Sequence, residues 1–166
     1  MKIAVYPGSF DPITNGHLDI VERSSEMFDT IIIAVFANPR KEPLLTVEER
    51  LDLIREVTRH LPNVQVDSFE GLLSDYARQR SAKVIIRGLR AVSDFEYEFQ
   101  MSLMNKKLNP NVETIFMTSS SKNIYVSSTI IKEVSALGGA VSGLVPRAVE
   151  NRLVEKFYHR KDGDNE

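Results

Sequence analysis

Hydrophobic positions along this chain follow two alternating patterns. Short, continuous apolar runs rich in β-branched residues are typical of strands that are buried on both faces. Longer segments with apolar residues three or four positions apart are typical of helices. A run of the first kind predicts a strand at Thr30–Phe36. Strands are also predicted at Lys2–Tyr6, Val64–Phe69, Lys83–Arg87 and Val112–Met117.

Helices are predicted between and after these strands. The first helix has His17 in its first turn, and the second begins with a capping box of Thr46 and Glu49. Residues of the first helix that share one helical face are Leu18, Val21, Ser25 and Phe28. The remaining helices are predicted at Thr46–His60, Leu72–Arg80, Asp94–Leu108, Ser127–Leu137 and Pro146–Tyr158.

The alternation of strands and helices determines the predicted fold. Repeated strand–helix units imply parallel strands joined by right-handed crossovers. We therefore predict an α/β protein with a Rossmann-like, doubly wound parallel five-stranded sheet, helices on both faces and a C-terminal helix. A chain of 166 residues suits one domain, which is predicted over residues 1–160. The polar end, residues 161–166, is predicted to be disordered.

Composition argues against several classes of function. A formal net charge of -2 disfavours a general nucleic-acid binder, which would carry a basic face. The chain contains no cysteine and therefore no disulfide, thiolate metal site or thiol nucleophile. The apolar run Ile31–Ala37 is far shorter than a membrane span, and the N-terminal apolar stretch is too short for a signal peptide. We therefore expect a cytoplasmic protein that binds neither nucleic acid nor membranes.

The segment Tyr6–His17 joins the first strand to the first helix and holds residues that a hydrophobic core does not require. It lies at the C-terminal edge of a parallel strand, where open α/β sheets bind their ligands. Gly8 and Gly16 allow the backbone to approach a ligand closely. His17 falls beside the free N–H groups of the helix start, which favours a phosphate. The alternative for a single histidine is a surface position or a local hydrogen bond.

A second segment begins at Arg87, at the end of the fourth predicted strand, and therefore shares the same sheet edge. Arg87 and Arg90 can present planar, permanently charged guanidinium groups to phosphate oxygens. The alternative is that these arginines form solvated ion pairs with nearby acids, namely Asp94, Glu96 or Glu98.

The third segment, Asn123–Thr129, opens the helix after the fifth predicted strand. Serine and threonine at a helix start are ordinary caps, and this is the alternative interpretation. However, the first acidic residue after Ser127 is Glu133, whereas Glu48 and Glu49 occupy the first turn of the second helix. An uncompensated positive end of a helix dipole favours an anion.

Common phosphate-binding motifs are absent from the chain. Neither Gly-x-x-x-x-Gly-Lys-Ser/Thr nor Gly-x-Gly-x-x-Gly after a strand occurs, which disfavours a P-loop kinase and a dinucleotide dehydrogenase. The three segments instead resemble signatures of the nucleotidyltransferase superfamily. Gly8–Pro12 followed by Thr14–His17 is similar to its first motif, with Thr14 at the place of the first histidine. That difference is typical of the phosphopantetheine adenylyltransferase family.

The other two segments strengthen this resemblance. Arg87–Glu98 closely resembles the signature of that family. Val126–Thr129 is similar to an Ile-Ser-Ser-Thr string that cradles the β- and γ-phosphates in the superfamily, with one aliphatic exchange. The resemblance covers nearly the whole chain, from Tyr6 to about Phe157.

The resemblance implies a reaction and a set of site residues. The family transfers the adenylyl group of ATP to 4'-phosphopantetheine and releases pyrophosphate. Magnesium is expected on the triphosphate, without ligands from protein side chains, and His17 is implied as the transition-state stabiliser. The implied ATP-binding residues are Ser9, Phe10, His17, Gly88, Leu89, Arg90, Glu98, Asn123, Ile124, Tyr125, Val126, Ser127, Ser128 and Thr129. The implied residues for the acceptor substrate are Ser9, Lys41, Leu73 and Arg87.

The helix predicted at Asp94–Leu108 bears on assembly. It carries more apolar surface than one face of a sheet can cover, although a core-facing helix with a wide stripe is an equal alternative. The family resemblance implies a homo-oligomer, a hexamer built as two trimers. The two apolar stripes comprise Phe95, Phe99 and Leu103, and Tyr97, Met101, Met104 and Leu108.

Two other functions remain open from the sequence alone. Nicotinamide mononucleotide adenylyltransferases and cytidylyltransferases share the first and third segments, but Thr14 and the segment from Arg87 disfavour them. A non-catalytic nucleotide sensor could dispense with His17 and Lys41, and both residues are present.

Overall fold

The computed structural model describes residues 1–37, 42–90, 92–120, 122–123 and 125–163, except for the side chains of 92–94 and 158–163. Its strands are β1 (Ile3–Gly8), β2 (Thr30–Phe36), β3 (Val64–Phe69), β4 (Val84–Leu89) and β5 (Glu113–Thr118). Its helices are α1 (Asn15–Ser25), α2 (Val47–Thr58), α3 (Leu73–Gln79), α4 (Val92–Leu108), α5 (Ser128–Ala136) and α6 (Arg147–Gly163). Within these ranges no helix combines the length and the apolar character needed to span a membrane.

The strands form one parallel sheet in the order β3-β2-β1-β4-β5, which confirms the predicted doubly wound fold. β1 pairs with β2 along its whole length, but it pairs with β4 only at Ala4–Val84 and Val5–Ile85. The sheet therefore opens between the C-terminal halves of β1 and β4. The strand order reverses at this point, and ligands of doubly wound sheets bind in the crevice that the reversal creates.

Alternate residues of the strands pack against helices on opposite faces of the sheet. On one face, Ile31 and Ile33 of β2 belong to a buried cluster that includes residues of α1, α2, α5 and α6. On the other face, Ile32 packs with Tyr76 and Ala77 of α3. α4 lies on this side, against α3, β4 and β5. Helices on both faces are therefore confirmed. α6 continues to Gly163, into the segment predicted to be disordered, and residues 164–166 lie outside the described ranges.

The buried face of α1 differs from the predicted one. Ile20, Val21 and Ser24 are buried, whereas Leu18 and Ser25 are only partly buried. The Ser24 hydroxyl is tolerated in the interior because it donates to the carbonyl of Ile20, 2.6 Å away. The helix is therefore rotated slightly from the orientation that apolar spacing alone indicates.

Candidate active site

A polar cavity of about 550 Å³ occupies the crevice where β1 and β4 separate. Its walls come from the β1–α1 loop, the C-terminal end of β4, the first half of α4 and the segment from β5 into α5. The three segments singled out in the sequence therefore meet in one place. The predicted ATP-binding residues that line it are Ser9, Phe10, His17, Gly88, Arg90, Glu98, Asn123, Val126, Ser127, Ser128 and Thr129.

Four predicted residues are placed elsewhere or not described. Leu89 and Tyr125 are not among the described residues that line this cavity. Leu89 contributes its carbonyl, which accepts a hydrogen bond from a backbone N–H of the segment after β5, and the Tyr125 side chain is exposed. Lys41 and Ile124 lie outside the described residues.

The start of α1 holds His17 through a reciprocal cap. Thr14 is the N-cap, and its hydroxyl accepts a hydrogen bond from the backbone N–H of His17, with a distance of 3.4 Å. In return, the backbone N–H of Thr14 donates to Nδ1 of the His17 ring at 3.1 Å. Because a backbone N–H can only donate, Nδ1 is unprotonated and the neutral ring carries its proton on Nε2. The alternative of a local hydrogen bond for His17 is thus confirmed.

Phe10 supports the His17 ring from the β1–α1 loop. The Phe10 backbone has a φ of 46°, a conformation that a non-glycine residue keeps only when its surroundings hold it. The buried Phe10 ring packs edge-on against His17, with centroids 5.1 Å apart, and against Tyr6, 5.4 Å away. Burial, with the charges of Arg90 and Arg87, lowers the pKa of His17 to about 4. His17 is therefore a neutral hydrogen-bond donor at neutral pH.

Arg87 bridges the gap between β4 and β1. Its Nη1 donates to the carbonyl of Pro7 at 2.9 Å, and its Nε and Nη2 donate to the two carboxylate oxygens of Glu98, each at 2.6 Å. Burial alone would lower the pKa of Arg87, but the hydrogen bonds and charge of Glu98 outweigh it and raise the pKa. The alternative pairing with Glu98 is thus confirmed, although in the cavity wall rather than on a solvated surface. Of the five guanidinium N–H groups, two are left for a ligand.

Two glycines let the cavity walls come close together. A Cβ on Gly88 would lie 2.7 Å from Cδ1 of Ile20, so the end of the Ile20 side chain would have to move. A Cβ on Gly8 would lie 3.0 Å from the ring of Phe10. Both positions therefore favour glycine because neighbouring side chains come close, rather than for an unusual backbone angle.

The N-terminus of α5 forms the opposite wall. Ser127 caps this helix, since its hydroxyl accepts a hydrogen bond from the backbone N–H of Ile130 at 3.1 Å, as the alternative interpretation expects. Ser128 donates its hydroxyl to the carbonyl of Pro12 at 2.8 Å, which ties α5 to the β1–α1 loop. The first turns of α5 and of α1 both lack acidic residues. Two uncompensated helix N-termini therefore border one cavity, an arrangement that suits a polyphosphate.

Buried charged side chains fix the β1–α1 loop from behind. The Asp11 carboxylate accepts hydrogen bonds from the backbone N–H groups of 44–45, at 3.0 and 2.9 Å, and pairs with Lys132 of α5 at 2.8 Å. Arg50 of α2 is 4% exposed and donates to the carbonyl of Ser9 at 2.8 Å. This network has no local signal in the sequence, because Asp11 and Lys132 are 121 positions apart.

A second cavity, of about 330 Å³ and mostly apolar, adjoins the first. Leu73, predicted to contact the acceptor, lies in it together with Phe36 and Phe69. Asn105, which is 7% exposed, also lines it. The residues shared by both cavities, called the common wall below, are Pro7, Gly8, Ser9, Arg87, Tyr97 and Glu98.

Several cavity residues were not predicted as such. Tyr97 and Met101 were assigned to an apolar stripe for assembly, yet both line the second cavity. Asn105 follows them on the same face of α4, because the three residues are spaced four positions apart. The spacing of four positions, which starts beside Glu98 at Tyr97, is the signal in the sequence that could have indicated the second cavity. Ser119, beyond the end of β5, lines the first cavity and had no such signal.

Sequence comparisons connect this geometry to known proteins. The family described as cytidylyltransferase-like matches residues 5–134 of the chain. A phosphopantetheine adenylyltransferase of Carboxydothermus hydrogenoformans is 58% identical over 163 residues, which cover 98% of this chain and 99% of that protein. A protein of the same name from Caldanaerobacter subterraneus subsp. tengcongensis is 56% identical, with 95% of this chain and 98% of that protein covered.

A solved structure gives a more distant comparison. A protein from Vibrio parahaemolyticus described as a nicotinate-nucleotide adenylyltransferase superposes with a TM-score of 0.70, over 95% of this chain and 96% of that one. The two sequences are only 21% identical. The likeness therefore shows a shared fold and carries no conclusion about the acceptor.

Proposed function

Because the chain belongs to the phosphopantetheine adenylyltransferase family, among the cytidylyltransferase-like nucleotidyltransferases, we propose that it transfers the adenylyl group of ATP to 4'-phosphopantetheine. The products are dephospho-coenzyme A and pyrophosphate, and the reaction is a step of coenzyme A biosynthesis. One observation in the structure carries this proposal. A polar cavity bordered by two uncompensated helix N-termini adjoins an apolar cavity, and the two meet at one wall.

ATP is proposed to occupy the polar cavity. Its triphosphate would lie between the N-termini of α1 and α5, where free backbone N–H groups and both helix dipoles stabilise negative charge. Arg90 and the first turn of α5 would hold the β- and γ-phosphates, which leave as pyrophosphate. This placement is supported by the absence of acidic residues from both first turns.

The acceptor is proposed to occupy the second cavity. The pantetheine arm is apolar apart from its amides and hydroxyl, which suits the surface formed by Leu73, Phe36 and Phe69. The amide of Asn105, in the lining of this cavity, is a suitable partner for an amide of the arm, because it can both donate and accept a hydrogen bond. The phosphate of the acceptor would then reach the common wall, at Ser9 and Arg87. Lys41 is proposed as a third phosphate ligand from the family resemblance.

The chemistry needs positioning more than proton transfer. An acceptor phosphate is already anionic at neutral pH, so its oxygen can attack the α-phosphorus of ATP without a general base. Catalysis then consists of aligning two polyanions and stabilising the charge on the α-phosphate during transfer. We propose that Nε2–H of His17 donates to that phosphate, since the ring is neutral and its Nδ1 is engaged by Thr14.

Magnesium is proposed as the cofactor. Among the described residues no group of three His, Cys, Asp or Glu could hold a metal ion. Glu98 in the cavity wall is engaged by Arg87, and Asp11 behind the β1–α1 loop is engaged by Lys132. Magnesium readily takes its ligands from phosphate oxygens and water, and it would neutralise part of the triphosphate charge.

A homo-oligomer, specifically a hexamer, is proposed from the family and from α4. All seven residues of the two predicted apolar stripes are more than a third exposed in the single chain. Exposed apolar surface of this extent along one helix is typical of an interface. A cytoplasmic location stays a prediction.

The experiment that tests the proposed function compares acceptors. Purified protein with ATP and magnesium would receive 4'-phosphopantetheine, nicotinamide mononucleotide or nicotinate mononucleotide, and pyrophosphate release would be followed. Of the three acceptors, we expect only 4'-phosphopantetheine to cause pyrophosphate release. We expect no release from ATP without an acceptor. Release with a mononucleotide would favour the other adenylyltransferase function. ATP binding without turnover on any acceptor would favour a nucleotide sensor.

A further inference from the structure

Two capping boxes in this chain have the same geometry but different chemistry. At the start of α2, the Thr46 backbone N–H donates to the Glu49 carboxylate at 2.8 Å, and the Thr46 hydroxyl accepts from the backbone N–H of Glu49 at 3.2 Å. At the start of α1, Thr14 makes the corresponding two bonds with His17, at 3.1 and 3.4 Å. The ring nitrogen Nδ1 thus takes the place that a carboxylate oxygen usually has in this motif.

The difference matters because of where each helix begins. α2 begins outside the cavity, so a glutamate there completes the cap and also complements the helix dipole. α1 begins at the cavity, where a carboxylate would repel a bound polyphosphate. An imidazole accepts the same hydrogen bond without adding negative charge, and it keeps a second ring nitrogen for another partner.

We propose that Thr14 is a positioning residue for the adenylyl transfer. Its backbone N–H fixes His17 in the tautomer that carries its proton on Nε2, and its hydroxyl holds the ring in place. This inference rests on the proposed function for its consequence, but the tautomer itself does not depend on it. Thr14 borders the polar cavity but is 1% exposed, and its hydroxyl and backbone N–H are both bonded to His17. Its hydroxyl also lies 3.1 Å from Nδ1, where it can donate while accepting from the His17 backbone.

The rest of the surroundings agrees with this assignment. In the described part of the chain, the hydrogen bonds of the His17 ring all go to Thr14 and all use Nδ1. Burial and two neighbouring arginines lower the pKa of His17, which keeps the ring neutral and makes the choice of tautomer meaningful. In the other tautomer, Nδ1–H would point at the Thr14 N–H donor and Nε2 would present a lone pair to the phosphate, which is repulsive.

The test combines ring-nitrogen NMR with kinetics on three variants. The histidine ¹⁵N shifts of the free, unsubstituted protein are expected to show Nε2–H and an unprotonated Nδ1 for His17, identified by the signals lost in His17→Ala. Thr14→Val keeps the backbone N–H that faces Nδ1 but removes the hydroxyl that caps the helix and contacts Nδ1. The ring is then held less firmly, and kcat is expected to fall by about tenfold, as the loss of one hydrogen bond implies, with the KM for ATP nearly unchanged. Thr14→Ser should restore kcat.

Thr46→Val is the matched control, because it removes an equivalent cap hydroxyl from α2 and should leave kcat and the His17 signals unaltered. An Nδ1–H tautomer in the unsubstituted protein would overturn the proposal, even if Thr14→Val fails to fold. An unchanged kcat in folded Thr14→Val would also overturn it. Absence of adenylyl transfer with every acceptor would contradict the proposed function instead, since the ring spectrum is measured without substrates.

Discussion

Arg87 and Glu98 form a two-pronged ion pair in the common wall of the two cavities, with both N–O distances at 2.6 Å. Glu98 fixes the orientation of the guanidinium plane by accepting hydrogen bonds from its Nε and Nη2. The N–H groups not used by Glu98 or Pro7 are those that an acceptor phosphate would contact. The pair therefore presents an oriented cation at the boundary where the two substrates have to meet.

This relationship predicts that the two arginines serve different substrates. Arg87→Ala is expected to weaken binding of 4'-phosphopantetheine by about tenfold to a hundredfold, the range for a lost hydrogen bond to a charged group, and to affect ATP little. Arg90→Ala is expected to do the reverse, and Lys41→Ala should behave like Arg87→Ala. Isothermal titration of each ligand against each variant measures this. Equal losses for both ligands in every variant would contradict the division of the site.

His17→Ala should show the behaviour of a residue that acts in the transition state. We expect kcat to fall by about a hundredfold or more, as for the loss of one oxyanion donor, while the Kd for ATP changes little. His60→Ala is a suitable control, because His60 is an exposed histidine that contacts Glu22 and lies away from the cavities. Nearly normal turnover of folded His17→Ala would refute the role of this side chain.

The lowered pKa of His17 predicts a pH dependence of stability. The ordinary histidine pKa of 6.5 applies to the unfolded chain, whereas the folded value is about 4. The unfolded state therefore binds the proton first, and the stability given by the neutral ring is complete above pH 6.5 and lost as the pH falls towards 4.

Urea unfolding over this pH window would test the prediction. As the pH is lowered from 6.5 towards 4, the free energy of unfolding of the unsubstituted protein should fall relative to that of His17→Gln. The glutamine side chain does not titrate. Parallel pH profiles for the two proteins would show that His17 keeps an ordinary pKa in the folded state.

The exposed stripes of α4 predict that a charge there prevents assembly. Leu103→Asp is expected to convert a hexamer into smaller species, because it places a carboxylate in an apolar interface. Tyr97→Asp and Met101→Asp should do the same, although both residues also line the second cavity. Leu137→Asp is the control, since Leu137 is 89% exposed and lies outside α4. Light scattering that finds the unsubstituted protein monomeric at micromolar concentration would refute the interface.

The sequence was most informative where burial is symmetrical. β2 has the predicted bounds, because a strand covered on both faces reads as a continuous apolar run that ends sharply. β3 also has the predicted bounds, although it lies at the edge of the sheet and is mostly only partly buried. The face of α1 was less predictable, since Ser24 is buried by bonding its own helix and lies beside Ser25 in sequence. Spacing alone cannot distinguish two neighbouring serines.

The candidate site also has a part that the sequence could predict and a part that it could not. The segments around His17, Arg87 and Ser127 could be found because each is local and lies at one sheet edge. Their structural and functional interpretations turned out to be compatible rather than exclusive, since all three side chains cap or pair while lining the cavity. The anchoring of Asp11 and the lining role of Asn105 depend on contacts between distant segments, which no local pattern records.

The most direct test of the account is the identity of the products. Purified protein, ATP, magnesium and 4'-phosphopantetheine would be followed by ³¹P NMR. Adenylyl transfer at the common wall predicts that a new phosphoric anhydride and pyrophosphate appear in equal amounts, without AMP. Pyrophosphate accompanied by AMP, or no consumption of ATP by the folded protein, would contradict it.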